Sequence, residues 1–198
     1  FKNQKELALS YALWYELGMN RHPYFSEEFI GIRFSDIVVR PIRVGERDDW
    51  DRLMSEHHYL GFQRLVGESL RYVAEVPERW LALLGWSAAA FKCRPRDAWI
   101  GWAPAVQWQR LSLIANNARF LILPGIRVPN LASKVLSLNV KRLSDDWNCV
   151  HGHPVFLAET FVDRARFTGA CYKQTFFRTA VSFHLVFLSH FRLPFRIH

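Results

Sequence analysis

The chain has 198 residues, half of them apolar and 22% charged, which is ample for one domain with a real core and excludes wholesale disorder. Its formal net charge is +8 and its pI about 9.8, so an acidic partner is expected, and nucleic acid is the commonest. The cysteines, Cys93, Cys149 and Cys171, are odd in number and widely spaced. That excludes a disulfide framework and fits a reducing, cytoplasmic compartment.

Residues 2–19 read as a helix with an apolar stripe of Leu7, Tyr11, Trp14 and Leu17, and their mixed charges exclude a signal peptide. No apolar run approaches the roughly 18 residues of a membrane helix. A loop to Ser35 precedes a strand over Asp36–Val44, where Pro41 marks an edge position. Glu46–Tyr59 is expected to be helical: Asp48 and Asp49 favour its amino end, and Trp50, Leu53, Met54 and His57 share one face. Leu70–Val76 and Trp80–Phe91 form an antiparallel hairpin around Pro77-Glu78-Arg79. Asp97–Ala115 shows helical spacing through Trp102, Val106, Trp108, Leu111 and Ile114.

The centre of the chain is a strand over Arg119–Pro124, a loop, a helix from Leu131 to Leu143 and a strand over Pro154–Val162. Asn130 is placed as the helix N-cap, its side chain accepting from an early backbone N–H. Strand, loop, helix, strand implies a parallel right-handed unit, whose ligands collect at the carboxyl ends of the strands. After Tyr172 the character changes. Lys173–His198 has six Phe, no Gly, no Trp and no acidic residue. An alternating stretch over Val181–Phe187 has strand character, yet the segment is expected to stand apart from the core. The division is therefore a helical extension at 1–35, an α/β domain at 36–173 and a Phe-rich tail at 174–198.

Chemistry concentrates in a few places. His57 and His58 close a helix, where the dipole favours a cation, and histidine is the usual acid or base near neutral pH. Glu159 and Asp163 lie four apart on a strand, facing one way but about 13 Å apart if extended. Glu159 lies in an apolar run, so it needs a partner, with Arg119 the expected donor, or else it faces a site. His57, His58, Glu159 and Asp163 are thus the catalytic candidates, and Asn117 and Arg119 are candidates for substrate or nucleic-acid contact. Lys134, Lys141 and Arg142 on one helix, with Arg164 and Arg166 after the acidic strand, suit phosphate contact. Cys149-Val-His151-Gly-His153 has ligand types but no standard zinc spacing, so no metal is expected.

Several ordered motifs carry a resemblance. They are His57-His58-Tyr-Leu-Gly61, Asp97-Ala-Trp-Ile-Gly-Trp102, Asn116-Asn117-Ala-Arg119-Phe120, Pro129-Asn130-Leu-Ala-Ser133, Asp146-Trp147, Glu159-Thr-Phe-Val-Asp163 and Gly169-Ala-Cys171-Tyr172. Over roughly Ile37–Lys173 the chain resembles the Druantia anti-phage component A family. The resemblance implies a prokaryotic defence or mobile-element setting, with other defence-system or transposon-encoded proteins as partners, and the basic charge adds DNA as the expected nucleic acid. The order of elements also looks like the acetyltransferase fold of the Gcn5-related type: α/β, a mixed sheet with flanking helices. That likeness implies an acyl-coenzyme A enzyme as an alternative function. Acetyl-coenzyme A phosphates would lie at Arg127, Asn130 and Ser133, although Pro124-Gly125-Ile-Arg127-Val-Pro129 stands where that fold carries a glycine-rich loop. A third reading is a metal-dependent nuclease or transposase-like protein built on Asp97, Glu159 and Asp163, which requires their carboxylates to converge.

Overall fold

The computed structural model describes residues 32–178 and 184–188. The helix expected at 2–19 and most of the extension at 1–35 lie outside the described residues. The elements are β1 (Val38–Pro41), α1 (Arg47–His57), β2 (Ser69–Val76), β3 (Arg79–Ala88), α2 (Arg94–Ile100), α3 (Pro104–Arg110), β4 (Ile114–Ile122), α4 (Leu131–His151), β5 (Leu157–Phe161), α5 (Ala170–Arg178) and β6 (His184–Leu188). The strands form one sheet in chain order, β1 to β6. Pairings from β1 to β4 are antiparallel, and β4–β5 and β5–β6 are parallel. The fold is α/β with a mixed sheet and flanking helices, in the element order expected of an acetyltransferase-like topology.

Helices cover both faces. A Cβ at Gly85 would meet the Trp50 ring of α1, while the next residue, Trp86, donates its indole N–H to Asn139 of α4 at 2.6 Å. Successive strand residues face opposite ways, so α1 and α4 lie on opposite faces. Between them Trp50, Tyr72, Leu84, Trp86, Leu143 and Trp147 are fully buried. The Trp50 indole N–H donates to the Tyr72 carbonyl at 3.0 Å, and the Tyr72 hydroxyl donates to Asp146 at 2.9 Å. One β2 residue thereby ties both helices to the sheet.

Three local expectations need correction. The helix expected over Asp97–Ala115 is two short helices and the start of a strand. Gly101, at φ 72°, ends α2 in the left-handed conformation, and Pro104 starts α3. β4 then begins at Ile114, five residues earlier than expected. Helix α4 continues beyond Leu143 because its buried stripe continues at Trp147. It ends at His151, where Gly152 takes φ 80°. Asn130 does not cap through its side chain: its φ is 60°, a left-handed conformation that asparagine tolerates, and its side chain makes no cap bond. The fourth difference concerns the tail. β6 pairs with β5 from Leu157↔His184 to Phe161↔Leu188, so the segment expected to stand apart supplies the sheet's last strand.

Candidate functional site at the carboxyl ends of β4 and β5

β4 has nine residues but pairs with β5 only over Ile114–Asn116. Beyond Asn116 the two strands part. A bulge lies on the other side of β4, where Gly85 pairs with Arg119 and Trp86 with Asn117, leaving Ala118 unmatched. This bulge separates two residues that simple alternation would place together. Asn117 is buried, accepts the Tyr172 hydroxyl at 2.7 Å and donates to the Gly85 carbonyl at 3.4 Å. Thr160 of β5 donates to the Asn117 carbonyl at 3.4 Å, so Asn117 and Tyr172 together close the parting of the strands. Arg119 lies beside Gly85 on the α1 face and donates to the carbonyls of Gly61 and Ala118 at 3.2 and 2.7 Å.

The loop after α1 and the turn after β5 complete the cluster. His58 accepts the Leu60 N–H on Nδ1 at 3.2 Å, which assigns the ring proton to Nε2 in the neutral form. Burial, helped by the Arg119 charge, lowers its pKa from 6.5 to about 4. In that neutral form the ring offers its Nε2–H as a donor. The rings of His58 and Tyr59 lie 4.8 Å apart, those of Tyr59 and Phe167 5.3 Å apart, and the Arg166 guanidinium stands 5.3 Å over Tyr59. Burial, with the nearby Asp163 carboxylate, raises the Tyr59 phenol above its usual range. Asp163 lies beyond the end of β5, bonded to the Ala165 N–H at 3.0 Å and paired with Arg166 at 3.3 Å. Arg119 is the cluster's half-buried cation, and among the described residues no carboxylate pairs with it. The arrangement offers an uncompensated positive charge with neutral donors beside it, which suits an anionic group.

The other candidates are elsewhere. Glu159 is fully enclosed: it accepts the Ala90 N–H at 2.8 Å and pairs with Arg96 at 3.0 Å. Arg96 of α2, not Arg119, is the donor, and Arg96 is itself fully buried between Glu159, Asp97 and the Ala90 carbonyl. Arg142 is held by Asp146 at 2.6 Å and by the Val39 carbonyl at 2.7 Å, so it pins α4 to β1 where a phosphate contact was expected. His57 lies 3.7 Å from the Glu56 carboxylate, Lys141 and Arg164 are exposed, and Lys134 is half-buried at the start of α4. Sequence reasoning missed Tyr59, Tyr172 and Arg96. The first two stood inside motifs already singled out, but their chemistry depends on neighbours that only the fold brings close.

Two alternatives lose their geometric basis. The loop before α4 contains Pro124 and Pro129, which have no N–H, and the Ile126 and Leu131 N–H groups bond to the Leu123 and Val128 carbonyls. Arg127 is exposed, and Ser133 accepts from Thr175 through its carbonyl. These residues do not fit a pyrophosphate cradle of the glycine-rich kind. Among the described residues, no three His, Cys, Asp or Glu side chains are placed to hold a metal ion, so Asp97, Glu159 and Asp163 do not form a two-metal site. No helix of the described residues is long and apolar enough to cross a membrane.

In shape the chain is similar to a transcriptional regulator from Bacillus halodurans C-125, at 11% identity and TM-score 0.46, covering 78% of this chain and 99% of that one. It is also similar to the polyamine N-acetyltransferase of Drosophila melanogaster, at 16% identity and TM-score 0.35, covering 60% and 73%. An agmatine N-acetyltransferase variant in apo form is similar at 17% identity and TM-score 0.35, covering 60% and 72%. No curated protein matches the chain in sequence. The Druantia protein DruA family matches residues 27–186, from before β1 into β6, and the chain belongs to that family of anti-phage defence proteins.

Proposed function

We propose that the chain is a DNA-associated component of a Druantia-type defence or mobile-element system, binding through phosphate contacts. The observation that carries this reading is how the charge is distributed. Most acidic side chains among the described residues are consumed internally, including Glu46 and Glu75 by Arg40, Asp51 by Arg71, Asp146 by Arg142 and Glu159 by Arg96. Arg119, Lys134, Lys141 and Arg164 have no such partner among the described residues. These basic side chains leave an excess of positive charge among the described residues, which attracts a polyanion. Arg119, flanked by the neutral donors His58 and Tyr59, is the interior end of this field. Other proteins of the same system are the natural partners.

Binding of the purified full chain to duplex DNA at a series of salt concentrations tests the reading. The affinity is expected to fall steeply with salt, and Lys141→Glu with Arg164→Glu is expected to weaken it about tenfold and reduce the salt slope by about two. No detectable binding at low salt, or an affinity independent of salt, would overturn it.

A further inference from the structure

The loop after α1 and the bulge of β4 together hold hydrogen-bond donors that lack acceptors. Arg119 gives its Nε–H to the Gly61 carbonyl at 3.2 Å and an Nη1–H to the Ala118 carbonyl at 2.7 Å. Those two bonds fix the guanidinium, and its remaining N–H groups have no acceptor among the described residues. His58 uses Nδ1 to accept the Leu60 N–H, so its Nε2–H is likewise unmatched among the described residues. The Tyr59 hydroxyl makes no hydrogen bond among them either. The Arg119 charge acts on both the His58 ring and the Tyr59 phenol, so the donors are close neighbours. Asp163, the acid that acts on Tyr59, is occupied by Arg166 at 3.3 Å and by the Ala165 N–H at 3.0 Å.

A fixed cation beside two neutral donors, with no carboxylate to answer it, calls for an oxyanion. Burial also lowers the Arg119 pKa, as expected of a cation that lacks a counter-ion. The depth of the cation decides which oxyanion fits. An internal phosphodiester has two free oxygens and carries chain on both sides, so it suits an exposed cation such as Lys141 or Arg164. Arg119 is half-buried, and a group that meets it must project from the rest of its molecule. The phosphate at a strand end does project. It presents three free oxygens and a charge approaching two, which matches Arg119, the His58 Nε2–H and the Tyr59 hydroxyl.

We propose that the Arg119 cluster receives the terminal phosphate of a nucleic-acid strand, with Arg119, His58 and Tyr59 as its donors. The inference rests on the DNA-associated reading for its class of partner, and it adds a preference for phosphorylated strand ends over internal backbone.

The test uses the full chain with short duplexes of one sequence whose ends carry a 5′-phosphate, a 3′-phosphate or hydroxyl groups alone. A phosphorylated duplex should bind about tenfold more tightly than the hydroxyl-ended one, and the better of the two phosphorylated forms identifies the end that is recognised. Arg119→Gln should abolish this preference, and Tyr59→Phe, which removes only the hydroxyl, should reduce it about threefold. Circular dichroism verifies that each variant is folded, and Tyr59→Phe decides the matter if the Arg119 variant is not. Lys141→Glu, on the helix across the sheet, should weaken binding to all the duplexes alike and so keep the ratio. Equal affinity for every duplex, or a preference that survives Arg119→Gln, would overturn the end-recognition assignment and leave the DNA reading standing. Absence of binding to any duplex at low salt removes both.

Discussion

At the scale of single residues, burial determines what each charged group can do. Glu159 and Arg96 are both fully enclosed; Arg96 also pairs with Asp97 at 2.8 Å, whereas Glu159 depends on Arg96 for its compensating charge. Burial raises the Glu159 pKa above the usual carboxylate value, and the Ala90 N–H and Arg96 oppose that rise. Arg96→Met should strand the Glu159 carboxylate and cost about 3–5 kcal/mol, whereas Arg96→Met with Glu159→Leu should recover most of the loss. Urea melts of both variants measure this; a loss below about 1 kcal/mol for the single change would mean that the stranded charge finds relief. His58 gives a pH dependence with a definite sign. Its ring resists protonation until about pH 4 in the folded chain, against 6.5 when unfolded, because it is buried beside Arg119. Between those values the unfolded state binds more protons, so stability falls as the pH drops through that window. His58→Gln should make the decline in melting temperature across the window shallower; an unchanged decline would show that other groups set it.

At the scale of elements, the β3–β4 bulge does most to shape the candidate site. A Cβ at Gly85 would stand 3.1 Å from both Leu65 and the Trp50 ring and 3.4 Å from Arg119. Trp50 is fully buried and held by the Tyr72 carbonyl, so it cannot swing aside. Gly85→Ala should therefore cost about 1–3 kcal/mol by overpacking and shift Arg119; chemical denaturation measures the first, and an unchanged stability would mean that α1 lifts from the sheet. The hairpin, α1 and the parallel β4–α4–β5 unit were all legible in the sequence, because their apolar periods are long and their ends are marked by Gly, Pro or His. The bulge was not, since one extra residue leaves no periodic trace over so short a strand. Nor was the break at Gly101, because Trp102, Val106 and Leu111 keep helical spacing across it. Arg119 was chosen as the partner of Glu159 because it lies on the adjacent strand, whereas the fold delivers Arg96 from a helix 63 positions away in sequence.

At the scale of the whole molecule, the sheet depends on its last strand. β5 has five residues and would be left with a bare hydrogen-bonding edge without β6, which pairs with it along its full length. That edge would be short of partners in the part of the chain that holds Glu159 and Thr160 in place, and exposed strand edges recruit other chains. The loss of acidic residues and the abundance of Phe in the tail misled the sequence reading, because an apolar run without acidic residues is also what a strand in a parallel pair requires. The Druantia family match, which continues to residue 186, supports counting β6 within the domain. Deleting residues 179–198 should therefore lower the melting temperature by several degrees and increase light scattering on heating. A truncated chain that melted with the intact one and stayed clearer in solution would show instead that β5 tolerates an open edge, and that the tail contributes stickiness without stability.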